Sequence, residues 1–343
     1  MNGRPFVFGV AASGENFTDR EKETERLLQN FRYGVNTILI SPRRWGKTSL
    51  VKKVVEKAQS ENLKVVYLDI FSCRNAQEFF NSFATAVIRQ TSSRWEEIVE
   101  NADKDIEDIL NLPERIAIEK GIRVVVCIDE FQQIGEFSDS LTFQKRLRAV
   151  WQLQSKASYC LFGSKRHRMN KMFESRSHPF YKFGDAMYLQ KIPTEYWVKY
   201  IAGRFESTGK SIENDLAERI CATVDNHSSY VQQLSWLVWV HTDKKANEES
   251  YAAALDDLLA QNTPLFVSQT ENLTAYQLNF LKALSEGIST GLSTDKVISQ
   301  YNLGSSANVA SIKKALMQQE LIETEGRVTK LSDPVMGLWL QLE

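Results

Sequence analysis

Val35-Asn36-Thr37-Ile38-Leu39-Ile40-Ser41-Pro42-Arg43-Arg44-Trp45-Gly46-Lys47-Thr48 runs from a short apolar segment through a turn into a helix-forming stretch. Its last eight residues follow G-x-x-x-x-G-K-[ST] at every position but the first, where serine replaces glycine. Strand, tight loop and helix start in this order aim backbone N–H groups and a helix dipole at one point, a setting that holds phosphate. Gly46 lets the chain approach closely, Lys47 would reach the β- and γ-phosphates, and Thr48 would ligate Mg2+. The residues expected to hold a nucleotide are Ser41, Pro42, Arg43, Arg44, Trp45, Gly46, Lys47, Thr48 and Ser49. Arg43 and Arg44 add fixed positive charge inside the loop, which faces phosphate, an acidic partner or solvent.

Outward from this loop, short apolar runs alternate with helix-length segments. Val35–Ile40, Val65–Phe71, Val124–Ile128, Tyr159–Phe162 and Ala186–Leu189 read as strands buried on both faces. Leu50–Ser60 and Ala76–Gln90 have helical spacing between them. Such alternation predicts an α/β fold with a parallel sheet and right-handed crossovers, over residues 1–192. After Pro193 only helical patterns appear, at Tyr196–Phe205, Leu216–Val224 and Tyr230–Val240, which predicts a helical lid over residues 193–262. Gln261–Pro264 reads as a linker. Beyond it, Ala275–Ser285, Thr294–Tyr301 and Ala307–Gln319 read as helices, followed by apolar residues flanking Glu325-Gly326 as in a hairpin. Three helices and a hairpin predict a winged-helix domain over residues 263–343.

A phosphate loop needs a carboxylate at the end of a neighbouring strand. The run Val124–Ile128 ends in Asp129-Glu130. Asp129 would hold Mg2+ largely through water, and Glu130 would polarise the attacking water as a general base. The run Tyr159–Phe162 ends in Gly163-Ser164, which puts a small polar side chain where it could sense the γ-phosphate. The expected catalytic set is therefore Glu130, Lys47 and Ser164, with Thr48 and Asp129 on the metal.

These segments together resemble a known family. Ser-Pro-Arg-Arg-Trp-Gly-Lys-Thr, then Cys127-Ile-Asp-Glu-Phe131, then Phe162-Gly-Ser164, are similar to the archaeal-type ATPases of the P-loop AAA+ class. These are relatives of the signal-transduction ATPases with numerous domains and of the origin-recognition initiators. Phe17-Thr-Asp-Arg20-Glu21 resembles a family segment that packs beside adenine, which implies a binding role for Arg20. His227-Ser-Ser-Tyr230-Val-Gln232 resembles the lid motif. Two departures stand out. The loop opens with Ser41, and Pro179-Phe-Tyr-Lys182-Phe183 lacks the arginine that members carry there, leaving Lys182 or Arg176 as substitutes. The resemblance implies ATP and Mg2+ as ligands and ATP hydrolysis that switches the α/β domain, lid and winged helix. A nucleotide-gated protein-binding module with little turnover and an ATP-dependent DNA-binding protein are the alternatives.

Composition narrows the partners. Lys plus Arg number 42 against 43 Asp plus Glu, so no global charge calls for nucleic acid or membrane. Lys165-Arg166-His167-Arg168 with Lys171 is a local basic run, read as a solvated surface or as a contact to nucleic acid, nucleotide or protein. Residues 272–343 carry six basic and seven acidic residues, with Glu323 and Glu325 in the hairpin, where a DNA reader needs cations. A protein partner for the winged helix is expected ahead of DNA. The four cysteines form no C-x-x-C pair, Met1–Glu15 does not read as a signal peptide, and no apolar run is long enough to span a membrane. A cytoplasmic protein is expected.

Overall fold

The structure is a computed structural model that describes residues 4–60, 62–91 and 106–342. It divides into two compact units, one spanning residues 11–191 and the other combining residues 4–10 with residues 192–342.

In the first unit, strands β1 (Thr37–Ile40), β2 (Leu63–Asp69), β3 (Arg123–Asp129), β4 (Ala157–Gly163) and β5 (Asp185–Tyr188) form a parallel sheet in the order β2-β3-β4-β1-β5. Side chains alternate between two buried faces, as the two-residue period of a strand dictates. Leu39, Val65, Val125, Cys127, Cys160, Phe162 and Met187 face one way. There they meet Leu27 and Phe31 of α1 (Glu21–Tyr33) and Leu50, Val51 and Val54 of α2 (Lys47–Ala58). Ile38, Ile40, Val66, Leu68, Val124, Val126, Ile128 and Leu161 face the other way. They pack on α3 (Ala76–Thr91), α4 (Ile106–Lys120), α5 (Ser140–Trp151) and α6 (Arg166–Glu174). Covering both faces explains why the strands read as unbroken apolar runs rather than alternating ones. The chain leaves β1 for one side of the sheet and returns on its other side with β5, so the carboxyl end of β1 is a topological switch point where ligands settle.

In the second unit, α7 (Thr194–Glu206), α8 (Asn214–Thr223), α9 (Ser228–Val240) and α10 (Glu248–Thr270) share one core with the winged helix. The latter consists of α11 (Ala275–Ser285), α12 (Asp295–Gln300), α13 (Ser306–Gln318), the antiparallel pair β6 (Ile322–Glu325) and β7 (Val328–Leu331), and α14 (Pro334–Leu340). Residues 261–264 are no linker. They lie inside α10, where Asn262 donates to the Leu258 carbonyl and Phe266 is fully buried, so core packing carries the helix past Pro264. Residues 4–10 join this unit as a strap. Phe6 is fully buried against Tyr200 and Phe205 at T-shaped angles, and the Val7 N–H donates to Gln232 Oε1 at 3.1 Å. On α9, the Tyr230 hydroxyl donates to Asp333 Oδ2 at 2.6 Å, while Asp333 Oδ1 caps α14. Tyr230 and Gln232 thus tie α9 to the winged helix and to the strap.

Candidate active site

The loop between β1 and α2 occupies the switch point. Gly46 holds φ +88°, a left-handed conformation that glycine adopts without cost, and caps α2 so that its first N–H groups face outward. Ser41 needs no such backbone. It is not among the residues with positive φ; it is buried, and its hydroxyl donates to the Pro42 carbonyl at 3.1 Å. The left-handed turn falls on Arg44 instead, at φ +61°, so serine at the head of the motif leaves the loop geometry intact.

Strand register brings the remaining groups to this loop. Ile40 lies opposite Gly163, which sets Ser164 beside the loop, and β3 delivers Asp129 and Glu130 next to β4. The Thr48 hydroxyl donates to Asp129 Oδ2 at 3.1 Å. Tyr67, on β2, donates to the same oxygen at 2.8 Å, and the Glu130 N–H donates to Asp129 Oδ1 at 2.8 Å. Burial pushes the Asp129 carboxyl up, while the Tyr67 hydrogen bond and the Lys47 charge pull it back toward ionisation. Burial is likewise the main force lowering the Lys47 ammonium, opposed by Asp129 and Glu130 and assisted by Arg43. Glu130 accepts from Ser164 Oγ at 2.9 Å and from the Gln132 amide. Arg43 Nε donates to Ser164 Oγ at 3.4 Å.

Arg20 is buried. Its guanidinium donates to Glu23 at 3.0 Å and to the Trp45 carbonyl at 3.3 Å, so it braces the loop from behind. Trp45 packs on the same core and lies 5.7 Å from the Lys191 ammonium, and the Ser49 hydroxyl accepts from the Ala12 N–H at 2.9 Å. The structure thus gathers Arg43, Lys47, Thr48, Asp129, Glu130 and Ser164 at the carboxyl ends of β1, β3 and β4. Tyr67 and Gln132 belong to the same network and were not expected from sequence. Arg44, Arg176 and Lys182 are exposed, as is Arg43, but among the described residues only Arg43 of these four is hydrogen-bonded to the network.

Two oxygens of the kind Mg2+ prefers, Thr48 Oγ1 and Asp129 Oδ2, stand 3.1 Å apart at the start of α2, which fits a magnesium site completed by phosphate and water oxygens. Among the described residues, no group of three or more His, Cys, Asp or Glu side chains could hold a metal without such help.

A phosphate loop at a switch point, a strand-end acid pair and a polar group on the adjacent strand make up a candidate nucleotide site of the P-loop kind. Comparison with known proteins agrees. Residues 17–162 match the family of ATPase domains found predominantly in Archaea, and residues 264–342 match a family described as a probable winged helix domain. Among solved structures, the chain is similar to a Walker-type ATPase of Pyrococcus abyssi, with TM-score 0.75 and 14% identity over 98% of this chain and 99% of that one. It is similar to the ORC2 protein of Aeropyrum pernix in its ADPNP and ADP complexes, with TM-score 0.64 and 16% identity over 99% and 98% of the two chains. It also resembles the ORC1 protein of Aeropyrum pernix in complex with DNA, with TM-score 0.52 and 12% identity over 96% and 94%. At these identities the likeness is one of fold. No curated protein matches the chain in sequence. The chain therefore carries an archaeal-type P-loop ATPase domain followed by a winged-helix domain.

Proposed function

We propose that this chain binds Mg-ATP at Ser41–Thr48 and hydrolyses it, and that nucleotide occupancy switches the unit built from lid and winged helix. The observation that carries this reading is the linked set Thr48–Asp129 and Ser164–Glu130 at adjoining strand ends. It joins one strand-end carboxylate to the phosphate-loop threonine and the next carboxylate to the serine of the adjoining strand, which supports a metal-side acid and a separate base. Thr48 and Asp129 would hold the metal, which would supply positive charge to offset that of the phosphates. Lys47 and the α2 N-terminus bind the β- and γ-phosphates. Glu130 takes the proton of the attacking water, once freed from Gln132. Ser164 orients the γ-phosphate or that water.

Two connections support the switch. The chain passes between its two units at residues 10–11 and 191–192. Beside the first crossing, Ala12 is bonded to Ser49. At the second, Lys191 sits over Trp45. Both threads are thus anchored on the phosphate loop or its helix. The test is metal-dependent phosphate release by the purified protein. Glu130→Gln should lower it by about 10² to 10⁴ fold, the usual contribution of a general base, while ATP binding survives. Equal turnover in the variant sinks the assignment.

For the winged helix we favour a protein partner. The ORC1 neighbour was solved with DNA, but the corresponding chemistry is thin here. On α13, Asn308 is committed to the Leu303 carbonyl at 2.8 Å, and the hairpin carries Glu323 and Glu325. Of the basic run after Ser164, Lys165 and Arg168 are paired with Glu136. ATP-dependent, salt-sensitive DNA retardation in a gel would overturn the preference. Four buried free thiols suit a reducing cytoplasm, and among the described residues no helix is long and apolar enough to cross a membrane.

A further inference from the structure

Phosphoryl transfer needs positive charge on the γ-phosphate as it separates, and an arginine commonly supplies it. The segment Pro179–Phe183, where the family resemblance implies such an arginine, serves another purpose. Phe180 and Phe183 are buried in the core beneath the sheet, and the exposed Lys182 lies 5.6 Å over the neighbouring Tyr181 ring. Arg176 is exposed too. The loop itself offers two arginines, and the backbone separates them. Both side chains are exposed, but Arg44 takes the left-handed turn. Arg43, one residue earlier, reaches across from β1 to β4.

We propose that Arg43 is this chain's own arginine for the transition state, supplied from inside the phosphate loop rather than by a second molecule. The inference rests on the ATPase reading above. Its Nε bonds Ser164 Oγ, and Ser164 bonds Glu130, so the guanidinium shares one hydroxyl with the base that activates water. That hydroxyl lies beside the phosphate loop, because Ile40 and Gly163 are register partners at the strand ends. Among the described residues Nε alone makes a hydrogen bond, which leaves the two Nη groups to form a fork toward phosphate oxygens.

In the reaction, the water oxygen forms a bond to the γ-phosphorus while its proton passes to Glu130. The bond from that phosphorus to the bridging oxygen breaks, and its electron pair stays on the β-phosphate of ADP. Negative charge grows on the bridging and γ-oxygens. Arg43 meets that charge in place, at no cost of assembling a neighbour.

The experiment compares wild type, Arg43→Ala, Arg43→Lys and Glu130→Gln. Arg43→Ala should slow single-turnover hydrolysis by about 10² to 10³ fold, the effect of deleting one transition-state donor. ATP affinity should stay within about threefold, because the contact strengthens only as the bond breaks. Arg43→Lys should recover only part of the rate, since an ammonium cannot form the fork. Wild type should also bind ADP with aluminium fluoride, a mimic of the transferred group, more tightly than Arg43→Ala, while both bind ADP alone equally. Arg43→Ala turning over within about threefold of wild type while Glu130→Gln is inert overturns the proposal and leaves the ATPase reading standing. So does wild-type turnover per molecule that rises with protein concentration and vanishes in Arg176→Ala. Should wild type itself release no phosphate, the ATPase reading fails. The aluminium fluoride comparison then decides on Arg43 alone, and equal affinity in wild type and variant overturns it.

Discussion

Tyr67 illustrates how one residue can decide a site without belonging to a motif. Its hydroxyl, with that of Thr48, steers Asp129 Oδ2, and burial keeps the phenol protonated by pushing its pKa far up. Tyr67→Phe should leave the fold intact and raise the Mg2+ concentration for half-maximal turnover by about tenfold, the usual effect of losing an outer-shell partner. A magnesium titration of phosphate release checks this, and an unchanged midpoint removes Tyr67 from the site. Ser41 points the other way. Because its backbone is not left-handed, Ser41→Gly should give no gain in ATP affinity, which nucleotide titration would show. The sequence carried Lys47, Thr48, Asp129 and Glu130 openly, since each sits in a contiguous pattern whose spacing encodes the geometry. Tyr67 and Gln132 were not legible, because their nearness to Asp129 and Glu130 depends on which strands are neighbours and on the tight turn after β3. Gly163 records that second approach, for a Cβ there would lie 1.7 Å from Gln132 Oε1.

At the scale of elements, the apolar runs located all the strands of the sheet, with ends shifted by a residue or two. The error at 261–264 came from reading proline as punctuation. Pro264 removes a backbone donor and crowds the carbonyl four residues earlier, yet α10 continues because Leu258, Asn262 and Phe266 are held on one buried face. Pro264→Ala should therefore stabilise the second unit by about 1 to 3 kcal/mol in denaturant unfolding, whereas a residue in a true linker would leave it unmoved. A second test concerns the join between α1 and β5. Arg26 and Asn30 both donate to Asp185, at 2.9 Å from Arg26 Nε and 2.9 Å from the Asn30 amide. Burial alone would push the Asp185 carboxyl up, but these partners outweigh it and hold it below its ordinary 3.8. A carboxyl lowered on folding stabilises above its unfolded value, and that stability is lost as pH falls through the folded one. Asp185→Asn should cost about 1 kcal/mol at neutral pH, discounted for the half-exposed Arg26. The gap between wild type and variant should close only as pH drops below about 3.8. A constant gap down to pH 2 would mean the pair adds no charge-dependent stability.

The whole molecule departs most from what a linear reading suggests. The lid and winged helix are stitched together through Tyr230 and Asp333, so a switch would move them as one body rather than as two successive parts. The strap at residues 4–10 went unseen because three residues, Phe6-Val7-Phe8, carry no period and no motif. Phe6→Ala should remove about 3 to 5 kcal/mol from the second unit through the cavity it leaves. Near-ultraviolet circular dichroism of the stacked pair Trp236 and Trp239 would report that melting at a lower temperature. Nucleotide binding by the first unit should persist there, and coincident loss of both would show that the units unfold together.

That strap also sets an order for biosynthesis. It leaves the ribosome ahead of the entire ATPase unit, but Tyr200, Phe205 and Gln232, which receive it, follow much later. At about 5 to 20 residues per second, the strap waits on the order of ten to forty seconds for its partners. Throughout that interval Phe6 is an exposed aromatic on a chain whose phosphate site can already be complete. A nascent chain stalled before Gln232 would therefore carry a complete first unit while the core of the second has yet to close.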